Sequence, residues 1–153
     1  MEKMELVPDF RLASTAGPHF QLNDQRGAPL ILYFYPRDDT PGCTDEGLQF
    51  TQLFSEFEAL RCPIWGISRD SLSSHEKFRA KMSFPFHLLS DPDELACTLF
   101  GVMKMKNMYG KQVRGIERST FLIDSEGRLA EIWRGVKVPG HAQHVLETLR
   151  TLP

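Results

Sequence analysis

Residues Leu30–Tyr35 read Leu-Ile-Leu-Tyr-Phe-Tyr, an unbroken apolar and aromatic run bounded by Pro29 and Pro36. A strand with one wet face alternates apolar and polar residues. A continuous run of β-branched and aromatic residues suits a strand covered on both faces. Such a strand needs a layer on each side of its sheet, which points to an α/β architecture. With its prolines the run is still far short of the ~20 residues of a membrane-spanning helix.

The flanking pattern supports this frame. Short extended pieces are expected at Asp9–Leu12 and Pro18–Leu22, separated by the turn Thr15-Ala16-Gly17. After Pro36–Gly42 a helical pattern runs to Leu60, with Phe50, Leu53, Phe54, Phe57 and Leu60 on one stripe. Pro63–Ser68 reads as a second buried strand, Asp70–Met82 as a helix and Phe86–Leu89 as a short strand. Asp91-Pro92-Asp93 opens a helix closed by Gly101. Ser119–Ile123 and Leu129–Trp133 flank Asp124–Gly127 as a hairpin, and a helix over about Gly140–Leu149 follows. The order predicts a mixed central sheet with helices on both faces, with parallel strands in the first half and an antiparallel hairpin in the second. At 153 residues, with no repeat or long linker, the chain reads as one domain over 1–153.

Several function classes lose support at once. Eighteen basic against 20 acidic residues, a formal charge of −2, give no general attraction to nucleic acid or an anionic membrane. Met1–Phe10 has no apolar core of a signal peptide, so a cytoplasmic setting with reduced thiols is expected. The three cysteines contain no C-x-x-C pair, against a disulfide framework, zinc ribbon or dithiol. His75-Glu76 begins like H-E-x-x-H, but the fifth position is Arg79. His141 and His144 have no third ligand nearby and read as solvent-facing. No metal or cofactor is expected. Lys104–Arg118, with five basic residues and one acidic, reads as a solvated loop.

The chemistry concentrates where the first buried strand meets the following helix. Thr40 suits an N-cap and Pro41 the first helical position, which makes Cys43 the third helical residue. Its sulfur then lies among unpaired backbone N–H groups at the positive end of the helix. A free thiol is only about 3% thiolate at pH 7. A helix start and a nearby cation raise that fraction, so position alone marks Cys43 as a nucleophile. Gly42 beside it permits close approach of another group to the backbone.

Pro36-Arg37-Asp38-Asp39-Thr40-Pro41-Gly42-Cys43-Thr44-Asp45-Glu46 resembles the peroxiredoxin signature P-x-x-x-T-x-x-C, in the version typical of the bacterioferritin comigratory protein/PrxQ subgroup. The likeness continues through Gly66–Ser74, Phe84–Asp93, Lys106–Gly110 and Glu117–Asp124. It implies a thioredoxin-like fold and a thiol peroxidase that reduces hydrogen peroxide and organic hydroperoxides. Carried across, Cys43 is the peroxidatic cysteine, Thr40 offers its hydroxyl to thiolate and peroxide, and Pro36 shields the sulfur. Arg118 polarises the peroxide and Glu46 orients Arg118; without the resemblance, Arg118 reads as a surface salt bridge to Glu117 or Glu46. A monomer is implied, with an external thiol as partner: thioredoxin, glutaredoxin or glutathione. We further expect Met103, Met105, Met108 and Tyr109 to form an apolar lip on the peroxide pocket.

The sequence departs from the subgroup at the resolving cysteine. The two positions where it usually stands hold Leu48 and Arg79. A one-cysteine enzyme follows, its sulfenic acid reduced from outside. The alternative is an atypical Cys43–Cys97 disulfide, with Cys62 read as a core-edge residue. Two rival classes stay open: a Cys–His hydrolase, which needs a histidine at Cys43, and a non-catalytic thioredoxin-fold binding protein.

Overall fold

A computed structural model describes residues 1–153. Strand β1 (Arg11–Ser14) and β2 (Gly17–Gln21) form the first hairpin. Asp9, expected within the first strand, instead accepts from Gln21 Nε2 at 2.6 Å and Asn23 N at 2.9 Å, bracing the turn beyond β2. The run that opened the sequence becomes β3 (Leu30–Phe34), with every residue buried. It is followed by α1 (Pro41–Gln52), α2 (Phe54–Ala59), β4 (Ile64–Ser68), α3 (Leu72–Met82) and β5 (His87–Ser90). Then come α4 (Leu95–Leu99), β6 (Met103–Met108), β7 (Lys111–Ile116), β8 (Ser119–Ile123), β9 (Leu129–Arg134) and α5 (His141–Leu149).

Seven strands share one sheet in the order β2-β1-β5-β4-β3-β8-β9. β3, β4 and β5 are parallel neighbours, while β8 and β9 add antiparallel strands beside β3. Both crossovers step the same way across the sheet. Right-handed connections therefore put α1, α2 and α3 on one face. Alternate residues of β3 separate two cores. Ile31 and Tyr33 pack with Phe50, Phe57, Phe78, Val145 and Leu146 beneath the helices. Leu30, Leu32 and Phe34 pack with Phe10, Phe20, Cys97, Phe100 and Phe121 on the other face, which carries α4. The mixed sheet with helices on both faces is the architecture expected.

Four local expectations need correction. The helical pattern to Leu60 is interrupted: α1 ends at Gln52, Leu53 leaves the helix at φ −102°, ψ 4°, and α2 resumes at Phe54. The break lets Phe50 and Phe57 both reach the core while Leu60 stays exposed. Lys104–Arg118 is no loop but the ribbon β6–β7, closed by Tyr109 (φ 51°) and Gly110 (φ 78°). Two successive positive φ angles make the tight turn whose twist matches antiparallel strands. His141 is not solvent-facing: it is buried, its Nε2 lies 2.8 Å from Thr120 Oγ1, and burial holds its imidazole down at about 4. His144 is exposed, as expected. The helix expected to open at Asp91-Pro92-Asp93 begins only at Leu95, with Glu94 (φ 60°) at its N-cap; Asp91 still braces its start, accepting from the N–H groups of Leu95 and Cys97 at 2.8 Å each. Gly127 supplies the positive φ in the Asp124–Gly127 turn.

Candidate active site

The carboxyl end of β3 delivers the chain into a short loop and then into α1, the usual place for chemistry in such sheets. Thr40 is extended at the N-cap and Pro41 opens the helix, so Cys43 is its third residue. The Thr40 hydroxyl does not cap: it donates to the Arg37 carbonyl at 2.8 Å and so tightens the loop. Pro36 is half-buried where β3 ends, and Cys43 is buried.

Arg118 is 75 residues away in sequence, yet the sheet brings it alongside. β8 runs antiparallel to β3 with Ser119 opposite Phe34, so the residue before Ser119 lies at the loop. Arg118 Nη2 donates to Cys43 Sγ at 3.5 Å and Nη1 to Glu46 Oε1 at 2.7 Å. Glu46 stands three residues after Cys43, on the same face of α1. A Cβ on Gly42 would lie 3.1 Å from Arg118 Nη2, so the glycine keeps that approach open. Arg118 is thus no surface salt bridge. Its guanidinium is largely enclosed between a carboxylate and a sulfur.

The electrostatics follow from burial. Burial pushes the Glu46 carboxyl up to about 7, against the pull of Arg118, and its Oε2 has no hydrogen-bond partner. Burial pulls the Arg118 guanidinium down, but Glu46 and Cys43 lift it more, and the net shift is upward. Tyr33 lies fully buried beside them, stacked on Phe50 at 4.9 Å; burial, then Glu46 and Cys43, raise its phenol well above the usual range. Lys106 donates to the Ile116 carbonyl and is lowered by burial and then by Arg118. Neither Tyr33 nor Lys106 was recognisable as a neighbour of Cys43: the first looked like core, the second like loop. Lys106 shares the β6–β7 face of Met108 and Val113, whereas Met103 packs into the opposite core. The expected lip therefore loses Met103 and also Met105, which is exposed on the ribbon face away from Lys106, and Tyr109 projects fully exposed at the ribbon tip.

The remaining cysteines are elsewhere. Cys97 lies on α4, across the sheet from Cys43. Cys62 is on the same face as Cys43 but in the wall of an apolar cleft of about 280 Å³ with Phe54, Ile64, Trp65 and Phe86, at the opposite end of the parallel strands. Burial pushes its thiol up to about 12. No histidine hydrogen-bonds to Cys43, which removes the base a Cys–His hydrolase requires.

Known proteins resemble this chain over most of its length. Residues 4–132 match the AhpC/TSA family. The chain is 52% identical to Peroxiredoxin Bcp of Xanthomonas campestris pv. campestris over 142 residues, 93% of this chain and 89% of that protein. A solved structure of a Xanthomonas campestris bacterioferritin comigratory protein, studied for its alkyl peroxide reduction activity, superposes with a TM-score of 0.90 at 49% identity. The match covers 97% of this chain and 98% of the other. PrxQ of Xylella fastidiosa superposes at 0.93 with 44% identity, covering 98% and 96%. With the Cys43–Arg118–Glu46 geometry at the carboxyl end of a thioredoxin-like sheet, these likenesses identify the chain as a peroxiredoxin of the Bcp/PrxQ group in the AhpC/TSA family, a thiol peroxidase.

Proposed function

We propose that this peroxidase works through Cys43 alone, in one domain spanning residues 1–153. The observation that carries the reading is the Arg118 guanidinium, held by Glu46 at 2.7 Å and directed at Cys43 Sγ at 3.5 Å. The Cys43 thiolate attacks one peroxide oxygen; an S–O bond forms as the O–O bond breaks. The departing oxygen takes the electron pair and a proton and leaves as water or an alcohol, while Cys43 becomes a sulfenic acid. Negative charge builds on the departing oxygen, so a fixed cationic donor beside it lowers the barrier. Arginine suits this task, being permanently charged and able to hold carboxylate and sulfur with separate nitrogens.

An external thiol then attacks the sulfenic sulfur, releasing water and forming a mixed disulfide. A second thiol restores Cys43. Thioredoxin, glutaredoxin and glutathione are the candidate reductants, and the setting is a monomer in the cytoplasm engaged in antioxidant defence. In this reading Pro36 limits water at the sulfur, while Thr40, whose hydroxyl donates to the Arg37 carbonyl and not to Cys43 Sγ, fixes the loop. Hydrogen peroxide and organic hydroperoxides both fit, since the described steps involve only the O–O bond. The decisive assay follows peroxide consumption with dithiothreitol. Reduced wild type is expected to turn over and Cys43→Ser to lose activity by at least about 10³-fold, since the nucleophile is gone. Equal turnover by both proteins would overturn the assignment to Cys43, and no consumption by the reduced wild type would favour a non-catalytic binding role.

A further inference from the structure

The loop that presents Cys43 is held from behind by a buried polar cluster. Asp38, midway between Pro36 and Thr40, is buried, and its carboxylate faces three groups. Oδ1 accepts from the Tyr35 hydroxyl at 2.6 Å; Oδ2 accepts from Ser74 Oγ at 2.8 Å and lies 2.7 Å from His75 Nδ1. The Asp38 backbone N–H donates to Asp70 Oδ2 at 2.9 Å, and Ser68 Oγ donates to the same oxygen at 2.6 Å. His75 is fully buried, and its other nitrogen, Nε2, lies 2.8 Å from the carbonyl oxygen of Leu89.

A carbonyl oxygen can only accept, so Nε2 carries a proton. The Asp38 carboxylate also accepts, which requires a proton on Nδ1. One ring with acceptors at both nitrogens is an imidazolium. A buried carboxylate is the partner that such a charge needs. Burial alone would raise the Asp38 carboxyl, but the bonds from His75, Tyr35 and Ser74 outweigh it and hold it below the usual range. The other titratable groups around the pair are Tyr35, directly after β3, and Asp70 from the β4–α3 turn; beyond Tyr35 lies Tyr33, which adjoins Cys43 and Glu46. Asp38 and His75 use on each other the atoms that a bound cation would need, so the cluster is a brace.

We propose that His75 is a positioning residue for Cys43: as an imidazolium paired with Asp38, it clamps the Pro36–Cys43 segment to α3 and β5 and keeps the sulfur opposite Arg118. Exposed Lys81 on Asp39, at 2.9 Å, is a second and weaker strap from the same helix. The proposal rests on Cys43 as the reacting cysteine.

Side-chain ¹⁵N–¹H spectra of reduced wild type at pH 7 test the charge state. Both His75 ring nitrogens are expected to be protonated, and a singly protonated ring overturns the proposal whether or not any variant folds. Stopped-flow oxidation of Cys43 by hydrogen peroxide tests the function. His75→Gln and Asp38→Asn are each expected to slow the reaction by at least about tenfold, because a small misplacement of the nucleophile suffices for that. The double variant carries no buried unpaired charge and is expected to recover most of the loss, a non-additivity that two unrelated structural defects would not produce. Single variants at full rate, or losses that simply multiply, overturn the clamp. Wild type that fails to react at all would instead sink the assignment of Cys43.

Discussion

Glu46 is the residue whose charge most directly shapes the site. Its carboxyl is enclosed, with one oxygen on Arg118 and the other without a partner, so ionising Glu46 places a charge out of reach of water that the guanidinium only partly offsets. Burial therefore lifts it from an ordinary 4.5 to about 7. A carboxyl raised in the folded state binds its proton more tightly when folded than when unfolded. Its contribution to stability is complete below about pH 4.5 and is lost as pH rises through about 7, at a cost on the order of 3 kcal/mol. Glu46→Gln keeps an acceptor for Arg118 and cannot ionise. Urea unfolding at pH 5.5 and pH 8 is expected to show wild type losing stability relative to Glu46→Gln at the higher pH. Parallel behaviour of the two proteins would show that Glu46 does not titrate in this window.

At the scale of elements, α1 is held against the Phe84 segment by the absence of a side chain. A Cβ on Gly47 would lie 2.3 Å from the Phe84 ring, which is itself stacked on Phe86 and edge-on to Phe78, each at 5.0 Å. Alanine gains up to about 1 kcal/mol in helix propensity. The ring has nowhere to move, however, and overpacking costs about 1–3 kcal/mol. Gly47→Ala is therefore expected to lower the urea midpoint at an unchanged m-value; a raised midpoint would show that the helix can shift. Glycine at this position carried no sequence signal of its packing role, because its reason is a ring 37 residues away. The same distinction explains what was legible. β3, the cap Thr40-Pro41 and the place of Cys43 follow from local pattern and were readable. Arg118 was readable only by resemblance, since a strand register brings it to the sulfur. The β6–β7 ribbon was missed because its charges and methionines alternate without an apolar face, and only its base, Met103 and Ile116, enters the core. His141 was misread because its partner, Thr120, lies on another element.

The whole molecule constrains the redox chemistry through its two cores. Cys43 belongs to the core under α1, α2, α3 and α5, and Cys97 to the core on the far face, with β3 running between them. A disulfide needs Cα atoms within about 7 Å. Bringing Cys97 across the sheet would mean dismantling α4, whose first turn is tied to Asp91 and whose Ala96 and Cys97 are wholly buried. Phe100, buried beside them, would be exposed as well, at about 1.5–3 kcal/mol for each large side chain. Burial and the nearby Asp91 also raise the Cys97 thiol far above neutrality, so it offers little thiolate to attack a sulfenic acid. Cys62 is on the correct face but is buried at the opposite end of the strands. After one equivalent of peroxide, intact mass and peptide mapping are expected to show one oxygen on Cys43, removable by an added thiol. Cys97→Ser is expected to behave as wild type, and excess peroxide without thiol to drive Cys43 on to sulfinic acid. A Cys43–Cys97 disulfide in the oxidised wild type would mean that the far core opens during turnover. The resolving thiol would then be internal, and the external reductant would act on a disulfide instead of on a sulfenic acid.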